Sequence, residues 1–534
     1  MSFKNNTAQQ ISLHDITNNL TARERKMLEK SWAKDFAERI FPIINENRYS
    51  VLYSDKASRP NTPVNIIIGA LILKEIFNLT DDELIETLMF DIRYRYALHT
   101  TSYTEQPLSD KTLSRFRMRC YTHETDTGID LIRDTITELS GEMAAIMKIN
   151  QQLKRMDSFM VASNIRKLSR LELLYTCVSN IVTRLHKQHH GDLLAGLEHY
   201  YDPDDYNRVI YHNRSTETDT RIGQVIMDAE RLITDCTGSY DDSNEFRLLL
   251  RAMNEQTIHD GNSNTRLRTK DDGGMDSHIL QNPSDPDATF REKSGKQHIG
   301  YVANVTESSG ENGSVITNYR FEQNTHSDSR FLNETIDAMG FQPERTTIVT
   351  DGSYGGTDNI ARAAEHNIEL VATDMAGRKA NDAHADFTFS DDGRRLLTCA
   401  AGKAPKSCSY ATTTGQCRVS YHRDDCVNCA NKDRCRPKIY KRTAVLVISK
   451  KSSERALLQR KLQTDDYRRL SRFRNGIESI PSTLRRRYGI DTMPVRGKVR
   501  VKFFFGFKIA AMNFRKLVKY LGAPGIGMSV GAVV

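Results

Sequence analysis

From Pro63 the chain places apolar residues at helical spacing. Ile66, Ile67, Leu71, Leu73 and Ile76 fall on one face. Thr80 and Glu83 have the spacing of a capping box opening a second helix. Ser109 starts a third, which carries Lys111, Arg115, Arg117 and Arg119. Upstream, residues 1–55 are polar apart from one helical stretch, Thr21 to Ile44. Short helices with tight polar turns and a cationic last helix fit a helix-turn-helix unit that lays one helix against DNA, and equally any small helical bundle.

The pattern then changes. Leu153 to Val161 reads as a strand carrying one acid, Asp157. About 165–258 is helical: Leu171, Leu174, Val178, Ile181 and Leu185 recur at helical spacing, as do Ile222, Val225, Ile226, Ala229 and Ile233. His186, His189 and His190 read as a surface helix end rather than a metal site. Residues 259–290 are polar and rich in Gly, Asp and Ser, a loop signal. His298 to Thr306 and Ser314 to Gln323 flank SSGENG, which predicts a hairpin. A helix over Ser329 to Met339 leads to a buried strand, Thr346 to Thr350, ending at Asp351. The turn GSYGG, a helix through Ala364 and a strand near Leu370 to Thr373 follow. Beyond a Cys-rich section come a strand at Ala444 to Ile448, one long helix from Ser452 to Arg487 and a basic tail. This order is mixed α/β with room for one central sheet.

Composition sharpens the picture. The 534 residues are 38% hydrophobic and 27% charged, which supports a large core and excludes wholesale disorder. The net charge of +8 is uneven: Glu454 to Lys519 holds 18 Lys/Arg against 5 Asp/Glu, so the remainder is slightly acidic. So basic a segment implies a polyanionic partner. Phe503, Phe504, Phe505 and Phe507 are most simply core, which leaves Arg500, Lys502 and Lys508 as an outward layer. No run is long and apolar enough to span a membrane, and the N-terminus has no secretory pattern, so a cytoplasmic location is expected.

Three acids stand at informative places: Asp157 within a strand, Asp351 at a strand end before a glycine turn, and Glu478 in the C-terminal helix. Hard divalent cations take oxygen ligands, and three such carboxylates can hold two Mg²⁺ or Mn²⁺ ions about 4 Å apart. Acids at strand ends also serve as loop caps. Six of nine cysteines lie between Cys399 and Cys435. Cys426, Cys429 and Cys435 form C-x₂-C-x₅-C; with Cys399 they suit a closed structural zinc site, with Cys408, Cys417 and His422 as further candidate ligands. Free cysteines in a loop are the plainer alternative.

These motifs resemble bacterial insertion-sequence transposases with a ribonuclease H-like DDE catalytic domain. RPNTPVNIIIGALILKEIFNLTDDELIETLMFDIRYRYAL, running on to LSDKTLSRFR, resembles their N-terminal DNA-binding domain. MDSFMVASNIRKLSR resembles the block around the first catalytic Asp, GKQHIGYVANV with THSDSR the hairpin block, and VTDGSYGG the block around the second Asp. The family's helical signature, Tyr, Arg, Glu and Lys, aligns with Ser471, Arg474, Glu478 and Arg485. Arg485 keeps the charge with a different donor geometry, whereas Ser471 loses the aromatic ring. Similar transposases carry the same cysteine text between the second Asp and the Glu, which favours Cys399, Cys426, Cys429 and Cys435 as the zinc set.

The resemblance implies a domain order. A polar segment at 1–55 precedes an all-α DNA-binding domain at 56–145, and the ribonuclease H-like core starts at 146–165. A helical insertion fills 166–290, the core resumes at 291–375, and a Cys-rich insertion spans 376–442. The Glu-bearing basic part follows at 443–520 and a flexible tail at 521–534. The activity implied is binding and cleavage of double-stranded DNA at terminal inverted repeats, then attack of the freed 3′-OH on target DNA. Asp157, Asp351 and Glu478 would be metal ligands. Arg474, Arg485, Arg115, Arg117, Lys498 and Arg500 would contact DNA, in a homodimer or larger assembly at the bacterial nucleoid. The alternatives are a domesticated or inactive DNA-binding derivative and a metal-dependent nuclease without strand transfer.

Overall fold

The computed structural model describes residues 1–6, 15–56, 58–102, 108–211, 217–260, 265–293, 295–374 and 380–522. Most of the tail expected to be flexible, from 523 onward, lies outside them. The protein is mixed α/β, with six strands in its main sheet: β1 (Leu153–Ala162), β2 (Thr289–Lys293), β3 (Lys296–Gly310), β4 (Gly313–Gln323), β5 (Thr346–Thr350) and β6 (Ile368–Ala372). Hydrogen-bonded neighbours follow the order β2-β3-β1-β5-β6, with β4 also on β3. The chain divides into two compact units. The first is Met1–Asn150, Ser158–Ser327 and Ile480–Val534; the second is Gln151–Asp157 and Asp328–Ser479. Among the described residues no helix is long and apolar enough to cross a membrane.

In the first unit the stretch read as one helix from Thr21 to Ile44 is two, Ala22–Glu29 and Trp32–Arg39, because Ser31 caps the second through the N–H of Ala33. Helices Val64–Phe77, Asp81–Phe90, Asp110–Thr127 and Leu131–Ile146 follow. The capping box at Thr80 forms: Glu83 N–H donates to its hydroxyl, and the Glu83 carboxylate accepts from Thr80 N–H. The last helix, Lys498–Leu521, packs against Val64–Phe77, Leu131–Ile146 and β4. Its phenylalanines are core, as expected, but two of the cations assigned outward are not. Lys508 is buried and pairs with Glu75 at 2.7 Å, and Lys502 reaches Glu124 and, at 3.0 Å, Asp130. A helix enclosed on several sides must turn some long side chains inward, and each finds an acid there.

The helical insertion has its own core, including Leu174, Val178, Ile181, Leu232, Phe246 and Leu249. The 259–290 segment is not all loop. Thr257–His259 pairs with Thr265–Leu267, and β2 pairs antiparallel with the Lys296–Gly300 end of β3. The expected hairpin is β3–β4, in register from Tyr301↔Gln323 to Gly310↔Gly313 with one shift after Thr306. Gly300 has φ +143°, and a Cβ there would lie 2.5 Å from both Val161 O and Ser163 N. Only glycine lets β3 come so close to the end of β1.

In the second unit, Leu153–Arg155 of β1 pair parallel with Thr347–Val349 of β5, and β5 pairs parallel with β6. Met156, Leu332, Ile336, Ile348, Tyr354, Ala363 and Ile368 form the core between these strands and helices Asp328–Met339 and Thr357–Glu365. The Cys-rich section folds as an antiparallel sheet of Ser407–Ala411, Gln416–His422, Thr443–Ile448 and Lys438–Ile439, in that order. The long helix expected from Ser452 to Arg487 is broken into Lys450–Lys461, Asp465–Asn475, a 3₁₀ turn Gly476–Glu478, and Ser479–Tyr488. Asp465 and Asp466 suit a fresh N-terminus, where their charge meets unpaired N–H groups.

Candidate active site

Asp157 lies in the middle of β1, Asp351 directly follows β5, and Glu478 ends the 3₁₀ turn after helix Asp465–Asn475. All three belong to the second unit, and they meet at one side chain. Arg474 Nη2 is 2.8 Å from Asp157 Oδ2 and 3.8 Å from Asp351 Oδ2, while Nη1 is 2.8 Å from Glu478 Oε1. Arg474 is 13% exposed and Glu478 63%. The guanidinium is thus sunk among the acids, with Glu478 at the solvent side.

The local chain explains this convergence. Arg155, two residues before Asp157 and so on the same face of β1, donates from Nη1 to Phe473 O at 2.6 Å and lies over the Phe473 ring. It occupies the space beside Gly476, where any Cβ would collide with its guanidinium. A strand residue therefore docks the turn that carries Arg474 and Glu478. Asp351 is fixed by Ser353, whose N–H donates to Oδ1 at 2.9 Å. The Ser353 hydroxyl stands 2.5 Å from Asp351 Oδ1 and 2.9 Å from Asp328 Oδ2, and Gly352 N–H donates to Asp374. Beside this turn a cavity of about 490 Å³ is lined by Gly352, Gly355, Thr357, Asp374, Lys451 and Arg455. Reading by sequence missed Arg155, Asp328, Ser353 and Asp374. THSDSR and DGSYGG carried Asp328 and Ser353, and Asp374 follows the next strand, but no periodicity pairs any of them with Asp351.

A hard divalent cation suits three convergent carboxylates by donor chemistry. Even so, among the described residues no three His, Cys, Asp or Glu side chains come close enough together to hold a metal ion. The acids gather around the guanidinium instead of around shared space.

The cations expected to meet DNA differ in setting. Arg115 is exposed on helix Asp110–Thr127. Arg117, on the same helix, is buried; its guanidinium grips both oxygens of Asp81 at 2.5 and 2.8 Å and lies over the Phe504 ring, so it is an internal ion pair. Arg485 bonds Asp491 at 2.9 Å and Met160 O at 2.7 Å. Lys498 pairs with Glu322 at 2.9 Å, while Arg500 is exposed near Tyr121.

Cys399, Cys426, Cys429 and Cys435 line one cavity of about 30 Å³ with Phe387, Tyr421 and Leu446. All four are free thiols. Burial, reinforced by neighbouring thiols, raises Cys426 and pushes Cys435 up to about 11. Cys408 and Cys417 turn elsewhere: Cys408 Sγ accepts from Leu396 N–H, and Cys417 Sγ faces Arg394 O at 3.3 Å. His422 is exposed.

Known families bear on this geometry. Residues 398–518 match the family model described as Transposase DDE domain, and residues 26–119 match Transposase domain (DUF772). Together they support an insertion-sequence transposase of the DDE type. The first match takes in Glu478, Arg474 and the cysteine section, and the second takes in Arg115 and the capped helices. No curated protein matches the chain, and no solved structure does.

Proposed function

We propose that the protein binds the terminal inverted repeats of an insertion sequence, cleaves DNA there and joins the freed 3′-OH to target DNA. Asp157, Asp351 and Glu478 form its carboxylate site. One observation carries this reading: three acids from segments far apart in sequence lie within 2.8–3.8 Å of one guanidinium. The strand order, with parallel β1, β5 and β6 beside the β3–β4 hairpin, favours a ribonuclease H-like core.

Divalent cations held by the three carboxylates would supply the positive charge that phosphodiester cleavage and transfer require. The chain's own contribution is positioning. Arg155 docks the Glu478 turn on β1, Ser353 fixes Asp351, and Arg474 aligns the acids with one another. Arg115, Arg486 and Arg500 are exposed cations that can meet phosphates, whereas Arg117, held by Asp81, does not belong with them. Cys399, Cys426, Cys429 and Cys435 form no metal-holding group among the described residues, and their common lining of one cavity is what supports them as the proposed zinc ligands; a dimer or larger assembly would pair two DNA ends.

Asp351→Asn tests the reading. With an oligonucleotide carrying the element's end, Mg²⁺-dependent cleavage should be lost while binding persists; unchanged cleavage removes the assignment. Zinc content of the reduced protein tests the cysteines, since one zinc per chain that Cys429→Ser abolishes is expected and zinc-free protein rejects the site.

A further inference from the structure

We infer that Arg474 is a built-in counter-cation: it holds the three acids together in the metal-free protein and competes with divalent cations for them. The inference rests on the carboxylate-site reading above and adds a role for this side chain.

Three carboxylates brought close together repel one another, and something positive must offset that repulsion for the pocket to stay assembled. Only Arg474 contacts all three among the ion pairs described. Its planar fork suits this role, because Nη1 serves Glu478 while Nη2 serves Asp157 and Asp351, a division that a single ammonium group cannot reproduce. The side chain is also confined. It stands one helical turn before Glu478, so it moves with that acid, and its buried Nε has no acceptor. The Asp157 and Glu478 oxygens it holds are the ones a cation would need. The acids gather on the guanidinium, and among the described residues they form no three-ligand group by themselves. A divalent ion must therefore displace the guanidinium, wholly or in part.

Removing Arg474 should consequently tighten metal binding, whereas losing a merely structural residue would weaken it. The test is Mn²⁺ titration of the full-length chain, with free Mn²⁺ read by electron paramagnetic resonance. Arg474→Met should bind Mn²⁺ about tenfold more tightly than wild type, the scale on which a charge at 4–6 Å shifts an ionic equilibrium. Its metal-free melting temperature should fall, and Ca²⁺ should raise it by more than in wild type. Adding Asp351→Asn should erase the gain. Should Arg474→Met not fold, Arg474→Lys decides by the same criterion, with a smaller gain. Equal or weaker Mn²⁺ affinity in the variant, at a site still sensitive to Asp351→Asn, overturns the counter-cation and leaves the carboxylate site standing. Mn²⁺ binding indifferent to Asp351→Asn in every protein overturns both.

Discussion

Lys508 offers the clearest test of how the basic C-terminal helix is used. Its Nζ is 2.7 Å from Glu75 Oε2, and each side chain is 7% exposed. At an effective dielectric near 20, two unit charges so placed attract by about 6 kcal/mol. Taking both out of water costs several kcal/mol per ion, so the intact pair contributes little net stability. Breaking it is different, because the surviving charge stays buried without its partner. Lys508→Met should cost about 3–5 kcal/mol. Adding Glu75→Leu removes the stranded carboxylate, and the double variant should return to within about 1 kcal/mol of wild type. Urea unfolding followed by fluorescence suits the measurement, since Trp32 is the chain's one tryptophan, is buried, and packs 4.8 Å from the ring of Phe77, which closes the helix holding Glu75. The double variant should also keep the wild-type salt dependence of DNA binding, because Lys508 releases no counterions. A Lys508→Met loss below about 1 kcal/mol, or a double variant no better than the single, would refute the argument.

Further outcomes follow from other sites. Burial, then the charge of Asp130, pushes Glu124 up to about 7 against the pull of Lys502. Folded Glu124 thus holds its proton more tightly than the unfolded chain does; its contribution is full below the ordinary carboxylate range and is lost as pH rises through about 7. Glu124→Gln should flatten the decline in urea midpoint between about pH 5 and pH 7.5, and an unchanged slope counts against the assignment. Gly300→Ala should cost about 2–4 kcal/mol in the same unfolding assay, since its Cβ would meet backbone atoms that cannot swing aside; a neutral result rejects the close approach. Gly476→Ala should displace Arg155 from Phe473 O and lower DNA cleavage at least tenfold, on the scale at which a misplaced site loses rate, with terminal-repeat binding intact. Wild-type cleavage by that variant would show that the docking contact is dispensable.

What could be read in advance was whatever has a local physical signature. The Thr80 capping box, the β3–β4 hairpin and the β5 strand ending at Asp351 each depend on residues a few positions apart, and each formed. β2 escaped notice because its sequence, TFREK, is polar and follows a Gly- and Asp-rich loop; only the neighbouring edge of β3 makes it a strand. The broken C-terminal helix is similar, since the run of charged residues hid a new start at Asp465.

The charges were the least legible part, for one physical reason. Lys508 and Glu75 are 433 residues apart, and Arg474 and Asp157 are 317 apart. A count of 18 cations over one segment cannot tell an outward cation from one that cancels a distant acid. The excess charge implied a polyanion, yet in the Lys498–Leu521 helix Lys498, Lys502, Lys508 and Lys516 each have an acidic partner inside the protein. The cations left for DNA are therefore fewer than the sequence suggests, and some belong to other places, such as Arg115 and Arg486. Salt dependence should scale with that smaller set, because counterion release counts only the charges that meet phosphate.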